Sequence, residues 1–119
     1  FHYMPGGREL EADPSGVAVL ESVLEERDIP YVTAKAWSTD GLYRETPARV
    51  ARRRDEGCAV VEMEASAFIA VARHRNVKMA HLLYAGDSLA GDEWDHRGWH
   101  QASVRRDLFE AAAAAVLRL

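Results

Sequence analysis

Val60-Val61-Glu62-Met63-Glu64-Ala65-Ser66 decides how this chain is read. Two β-branched residues run into two carboxylates that flank a methionine, and an apolar helical pattern follows at once. A strand that stops and turns straight into a helix leaves its last side chains at the carboxyl edge of a sheet, where open α/β folds bind ligands. Glu62 and Glu64 also stand at the start of the helix, where carboxylates complement the positive end of its dipole. Two readings therefore stand side by side: a ligand-facing acid pair, or a pair that only completes the helix.

Working outward, Cys58 to Val61 is a short continuous apolar run and is expected to be a central strand. The helix after Glu64 is apolar nearly all round (Ala65, Ala67, Phe68, Ile69, Ala70, Val71, Ala72), so burial on more than one side is expected. Val77 to Ala85 is a third strand candidate. Strand, helix and strand in that order predict a βαβ unit, a parallel pair with a right-handed crossover. Upstream, Tyr31 to Ser38 is rich in β-formers, and Asp13-Pro14 opens an amphipathic helix with Val17, Leu20 and Leu24 on one face. Pro30 bounds that helix. Thr46-Pro47 opens a second helix, which Gly57 closes. Residues 102–119 predict a long helix with Val104, Leu108, Ala111 and Ala115 on one stripe. Pro5-Gly6-Gly7 reads as a plain turn, since no helix and no Lys-Ser/Thr follow it as in a phosphate-cradling loop. Alternating strands and helices make the chain α/β.

Length, charge and cysteine use narrow the classes. The chain of 119 residues suits one domain, 1–119, and an apolar fraction of 48 % suffices for a core. A formal charge of −4 argues against a nucleic-acid surface. The single cysteine, Cys58, allows no intrachain disulfide, is read as a small buried hydrophobe, and points to a cytoplasmic setting. No apolar run approaches the ~20 residues that span a bilayer. Phe1-His2-Tyr3-Met4 has no leader pattern, and a start at Phe1 is expected of a trimmed chain. No repeat is visible, and the alanine run near the end is the one biased segment.

Several other stretches carry function-capable side chains, each with a plainer alternative. Trp37 to Thr46 is polar around aromatic residues, either a connecting loop over a packed Tyr43 or a binding loop. Arg49, Arg52, Arg53 and Arg54 either bind phosphate or form a solvated face offset by Glu45, Asp55 and Glu56. Gly86-Asp87-Ser88 follows the third strand candidate, and Asp87 is either a turn cap or an acid at the same carboxyl edge as Glu64. His96 and His100 are four apart with carboxylates nearby. Gly98 between them and the lack of an H-E-x-x-H pattern argue against a metal, so no metal site is assigned. Trp94 and Trp99 either cover a planar base or anchor by packing.

Val61-Glu62-Met63-Glu64-Ala65-Ser66 resembles the ribose-binding segment of the nucleoside phosphorylases and nucleosidases, the superfamily of the purine and uridine phosphorylases. The resemblance implies that Met63 packs on the sugar and that Glu64 accepts hydrogen bonds from the ribose 2′- and 3′-hydroxyls, with Val61 and Glu62 beside them. An ionised carboxylate has the lone pairs to take two donors from a cis-diol. The segment 37–46 is similar to the family's base-binding loop, with Leu42 at the stacking position and Tyr43 next to it. Asp87 stands where purine-type members protonate N7 of the leaving base, and Arg97 and His2 are supporting candidates. The glutamine and arginine that read uracil in uridine phosphorylases find no match in spacing here, which favours a purine-type leaving group. Phosphate is then the co-substrate, and no cofactor is implied.

The resemblance covers nearly the whole chain but only the C-terminal half of the family's fold. It implies a partial three-layer α/β/α arrangement with a mixed, largely parallel sheet flanked by helices. The family's phosphate-holding half is expected elsewhere, so this chain alone is expected to be inactive. The implied partners are a nucleoside, phosphate, and either further copies of the chain or a complementing N-terminal half, since a half-fold leaves sheet edges unmet. A non-catalytic nucleoside-binding or assembly module is the alternative.

Overall fold

The computed structural model describes residues 3–88 and 102–119. Along the chain run α1 (Pro14–Glu26), β1 (Lys35–Ser38), a short 3-10 turn (Leu42–Arg44), α2 (Pro47–Asp55), β2 (Cys58–Glu62), α3 (Ala65–Arg75) and α4 (Ala102–Val116). The fold is α/β, with a parallel two-stranded sheet among the described residues. The chain divides into two units, residues 1–10 with 32–76, and residues 11–31 with 77–119.

The first unit is built on the sheet. Parallel strands need a crossover connection, and residues 39–57, with α2 inside them, supply it between β1 and β2. Ala36 pairs with Val60, Trp37 with Val61 and Ser38 with Glu62, after an irregularity between Lys35 and Ala36. The ladder extends by one bond, Thr39 N–H to Glu62 O at 2.8 Å. Trp37 is buried against this pairing, and the Arg53 guanidinium lies 5.5 Å from its ring centre. Residues before Leu10 are tied to the strands and α2 by polar contacts. Arg8 pairs with Glu56, and Lys35 Nζ donates to Glu9 at 2.5 Å and to the Glu56 carbonyl at 3.1 Å. Asn76, in the left-handed region at φ 53°, closes α3. Of α3, only Ala65 and Ala72 are buried, and Phe68 is 54 % exposed. The burial on several sides expected from composition is thus not met among the described residues.

The second unit is a helix pair. Asp13 caps α1, its Oδ1 accepting from Ser15 N at 2.8 Å and Ser15 Oγ at 2.7 Å, with Pro14 in the first turn. Leu20, Val23 and Leu24 of α1 pack with Ala111 and Ala115 of α4, and the alanines permit close approach. Val104 and Leu108 continue that stripe half-buried. Arg118 clamps Glu26 through two bonds of 2.7 Å, bidentate geometry that fixes the end of the chain on α1.

Residues 77–87 form no strand, contrary to the expectation for Val77 to Ala85. Their period-two pattern has another outlet. Ala80 and Leu82 pack onto the α1–α4 core, while His81 and Leu83 are exposed. Gly16 of α1 accommodates this segment, since a Cβ there would lie 3.1 Å from both Ala80 Cβ and Met79 O. A strand pattern marks a half-buried extended segment, and a ladder requires in addition a neighbour in hydrogen-bonding reach. The first strand is likewise shorter than its propensity suggests, beginning at Lys35 rather than Tyr31.

Candidate functional site

Because β1 and β2 are parallel, both carboxyl ends fall on one edge of the sheet, and Ser38 stands opposite Glu62 there. The Ser38 hydroxyl donates to the Glu62 carboxylate. The same carboxylate accepts from the backbone N–H of Glu64 at 2.8 Å and from that of Ala65. Ser66 N–H donates back to Ser38 Oγ at 3.1 Å. A side chain from the end of the strand thereby satisfies donors that the first turn of α3 would otherwise leave unmet.

This divides the acid pair. Glu62 meets three donors within the chain, which accounts for most of its acceptor capacity. Glu64 occupies the N-cap position, yet its side chain caps nothing and accepts no bond from the described residues. It is exposed, as is Met63 before it. Val61 is half-buried in the ladder opposite Trp37. The plain reading, an acid completing the helix, thus describes Glu62, while the Glu64 carboxylate at the carboxyl edge of the sheet has no partner among the described residues.

The turn after β1 brings Leu42 and Tyr43 to the surface of the same unit, 53 % and 97 % exposed. Arg44 of that turn pairs with Asp40. Asp87 is half-buried in the second unit and engaged in an interaction of its own. Arg97, His2, His96, His100, Trp94 and Trp99 lie outside the described residues. No metal-ligating group of three or more His, Cys, Asp or Glu gathers among the described residues. No described helix is long and apolar enough to cross a membrane.

Sequence reasoning missed Ser38, the residue that locks the site's strand end to its helix. Its partner is 24 positions away, and only the register of the ladder reveals the pair. The arginines of α2 were visible, but their setting was not. Arg49, Arg52 and Arg53 line a cavity of about 370 Å³ together with residues at the end of β1. Glu56 braces two of them, accepting from Arg53 at 2.7 Å and Arg52 at 3.2 Å. The Arg53 hydrogen bond above all, joined by those from Arg8 and Arg52, holds the Glu56 carboxyl at about 2.

An acidic strand-to-helix turn, with one acid structural and the other open, lies at the carboxyl edge of the parallel sheet, the position at which open α/β folds bind ligands. Across its whole length, residues 1–119, the chain matches the family model described as the phosphorylase superfamily, and it belongs to that family. No curated protein and no solved structure matches it. Membership supports a nucleoside phosphorylase-like role in general terms.

Proposed function

We propose that this chain forms the ribose- and base-binding part of an enzyme that cleaves the N-glycosidic bond of a nucleoside with phosphate. Glu64 accepts the ribose 2′- and 3′-hydroxyls, Met63 and Val61 pack under the sugar, and Glu62 holds the turn in place. Leu42 and Tyr43 cover the base. Asp87 donates a proton to N7 of a purine-type base, supported by Arg97 and His2. The C1′–N bond breaks with its electrons moving to the base, and a phosphate oxygen forms the new bond at C1′. An aspartate at its ordinary pKa is a weak donor at neutral pH, so this role requires a desolvated or hydrogen-bonded carboxyl when substrate is bound. Phosphate is the co-substrate and no further cofactor is required. The phosphate-holding half comes from a complementing segment or chain, and copies of this chain associate through the apolar α3 and the open sheet edges.

The observation that carries the reading is the carboxylate of Glu64 at the carboxyl edge of β2, unpaired among the described residues, in a chain of this family. The test is calorimetry with adenosine, inosine and uridine, paired with assays for ribose 1-phosphate with and without phosphate. Binding of a purine nucleoside that Glu64→Gln abolishes is expected. Binding without turnover, even when the complementing half is supplied, would identify a nucleoside-binding module instead. Indifference of every ligand to Glu64→Gln would remove the reading altogether.

A further inference from the structure

Two turns leave the carboxyl edge of the sheet, and the side chains at their tips are exposed. Leu42, Tyr43 and Arg44 are exposed in the turn after β1, and Met63 and Glu64 in the turn after β2. What places both turns is one joint at the last pair of the ladder, Ser38 opposite Glu62. On the β2 side, the Glu62 carboxylate takes the N–H groups of Glu64 and Ala65, and Ser38 Oγ takes that of Ser66 at 3.1 Å. On the β1 side, the Glu62 carbonyl takes the N–H of Thr39 at 2.8 Å, and Thr39 is buried. From Thr39 the chain enters the 3-10 turn, which closes through Arg44 N–H to Gly41 O at 2.9 Å and through the Arg44–Asp40 pair. The Ser38 hydroxyl, donating to the Glu62 carboxylate, links the two sides of this joint.

We propose that Ser38 is a positioning residue that couples these two turns, so that the sugar and the base of a nucleoside are bound cooperatively. A serine hydroxyl can donate and accept at once, and Ser38 does both, to Glu62 and from Ser66. Fixing the turn after β2 therefore fixes the Glu62 side chain and, through the Ser38 hydroxyl and Thr39 N–H, restrains the turn after β1. A first ligand that orders the joint spares the second that cost, which appears as positive cooperativity. Coupling between sites is reciprocal, so departure of either product loosens the hold on the other. The intact nucleoside is thereby favoured over its separate parts by more than the sum of their contacts. The coupling of the turns stands on the hydrogen bonds; its ligands rest on the reading of Glu64, Leu42 and Tyr43 given above.

Amide hydrogen exchange on the full chain reads local opening and tests the coupling without ligand. Ser38→Ala is expected to speed exchange about tenfold, the value of a lost charged hydrogen bond, at Glu64, Ala65 and Ser66 and equally at Thr39, Arg44 and Glu45. Ser38→Thr keeps the hydroxyl and is expected to exchange as the parent does. Acceleration confined to residues 64–66, or as large in Ser38→Thr as in Ser38→Ala, overturns the proposal. Calorimetry then titrates adenine with and without saturating ribose. Ribose is expected to tighten adenine binding about fivefold or more in the parent and in Ser38→Thr, and to have no such effect in Ser38→Ala. Independent binding of ribose and adenine by the parent, or an equal gain in Ser38→Ala, overturns the proposal. Linked exchange in a chain that binds no ribose keeps the coupling of the turns and removes the reading of Glu64.

Discussion

Ser38 and Glu62 face each other across the parallel ladder, and the serine hydroxyl donates to a carboxylate that also closes the first turn of α3. One side-chain contact thus joins β1, β2 and α3 at the edge where the candidate site lies. Ser38→Ala removes that donor, and Glu62 can recover part of the loss from water because it is only half-buried. The expected cost is therefore at the lower end for a charged hydrogen bond, about 1.5 kcal/mol, read as a shift in urea midpoint at unchanged slope.

The division of labour between the two acids gives opposite expectations for two matched substitutions. Glu62→Gln weakens the start of α3 and lowers the melting temperature. Glu64→Gln alters an exposed carboxylate without a partner among the described residues, so stability should stay within about 0.5 kcal/mol while nucleoside binding is lost. Thermal melts and calorimetry on the two variants check both halves. A reversed pattern, with Glu64 the stabilising acid, would contradict the structure.

In the helix pair, Leu24 is 3 % exposed within the α1–α4 core. Leu24→Ala is expected to cost about 2–5 kcal/mol, the transfer term plus a cavity. Gly16→Ala raises helix propensity by up to about 1 kcal/mol, yet its new methyl would press on the backbone of Met79, which cannot swing aside as a side chain does. Net destabilisation is expected, and denaturant unfolding of both variants measures it.

Glu56 supplies a pH dependence with a defined sign. Its folded carboxyl is held at about 2, first by the Arg53 hydrogen bond, against an ordinary value of 4.5. A depressed acid contributes its stability in full above the ordinary value and loses it as pH falls toward the folded one. The difference in stability between the parent chain and Glu56→Gln should accordingly be constant above about pH 4.5 and shrink toward pH 2. Acid titration of both proteins, followed by circular dichroism, reads that window. A constant difference down to the lowest pH would mean that Glu56 is not held in its charged form by the arginines.

Local chemistry made much of the fold legible. Asp13-Pro14 starts α1, the stripe through Ala111 and Ala115 buries α4, and Gly57, at φ 85°, follows α2. Thr46 marks the right boundary of α2, although its side chain makes no capping bond. The turn at Glu62-Met63-Glu64 was legible as a strand end running into a helix. Which acid is structural was not, because that depends on Ser38 and hence on register. Residues 77–87 show the same limit. Alternation indicates which side chains turn inward, and what they turn toward, here α1 and α4, is a tertiary fact. The arginines of α2 were equally visible as charge, but a solvated face and a cavity wall have the same sequence.

The two units interleave along the chain, 1–10 with 32–76 and 11–31 with 77–119. Arg118 and Glu26, partners in the finished protein, are 92 positions apart. During synthesis α1 is made with Leu20, Val23 and Leu24 uncovered, well before their partners Ala111 and Ala115 arrive. Such distant pairing slows folding, and it leaves a greasy nascent helix that a chaperone has time to find. Nor can either unit be excised by a single cut, since the chain passes from one to the other after Leu10, after Tyr31 and after Asn76.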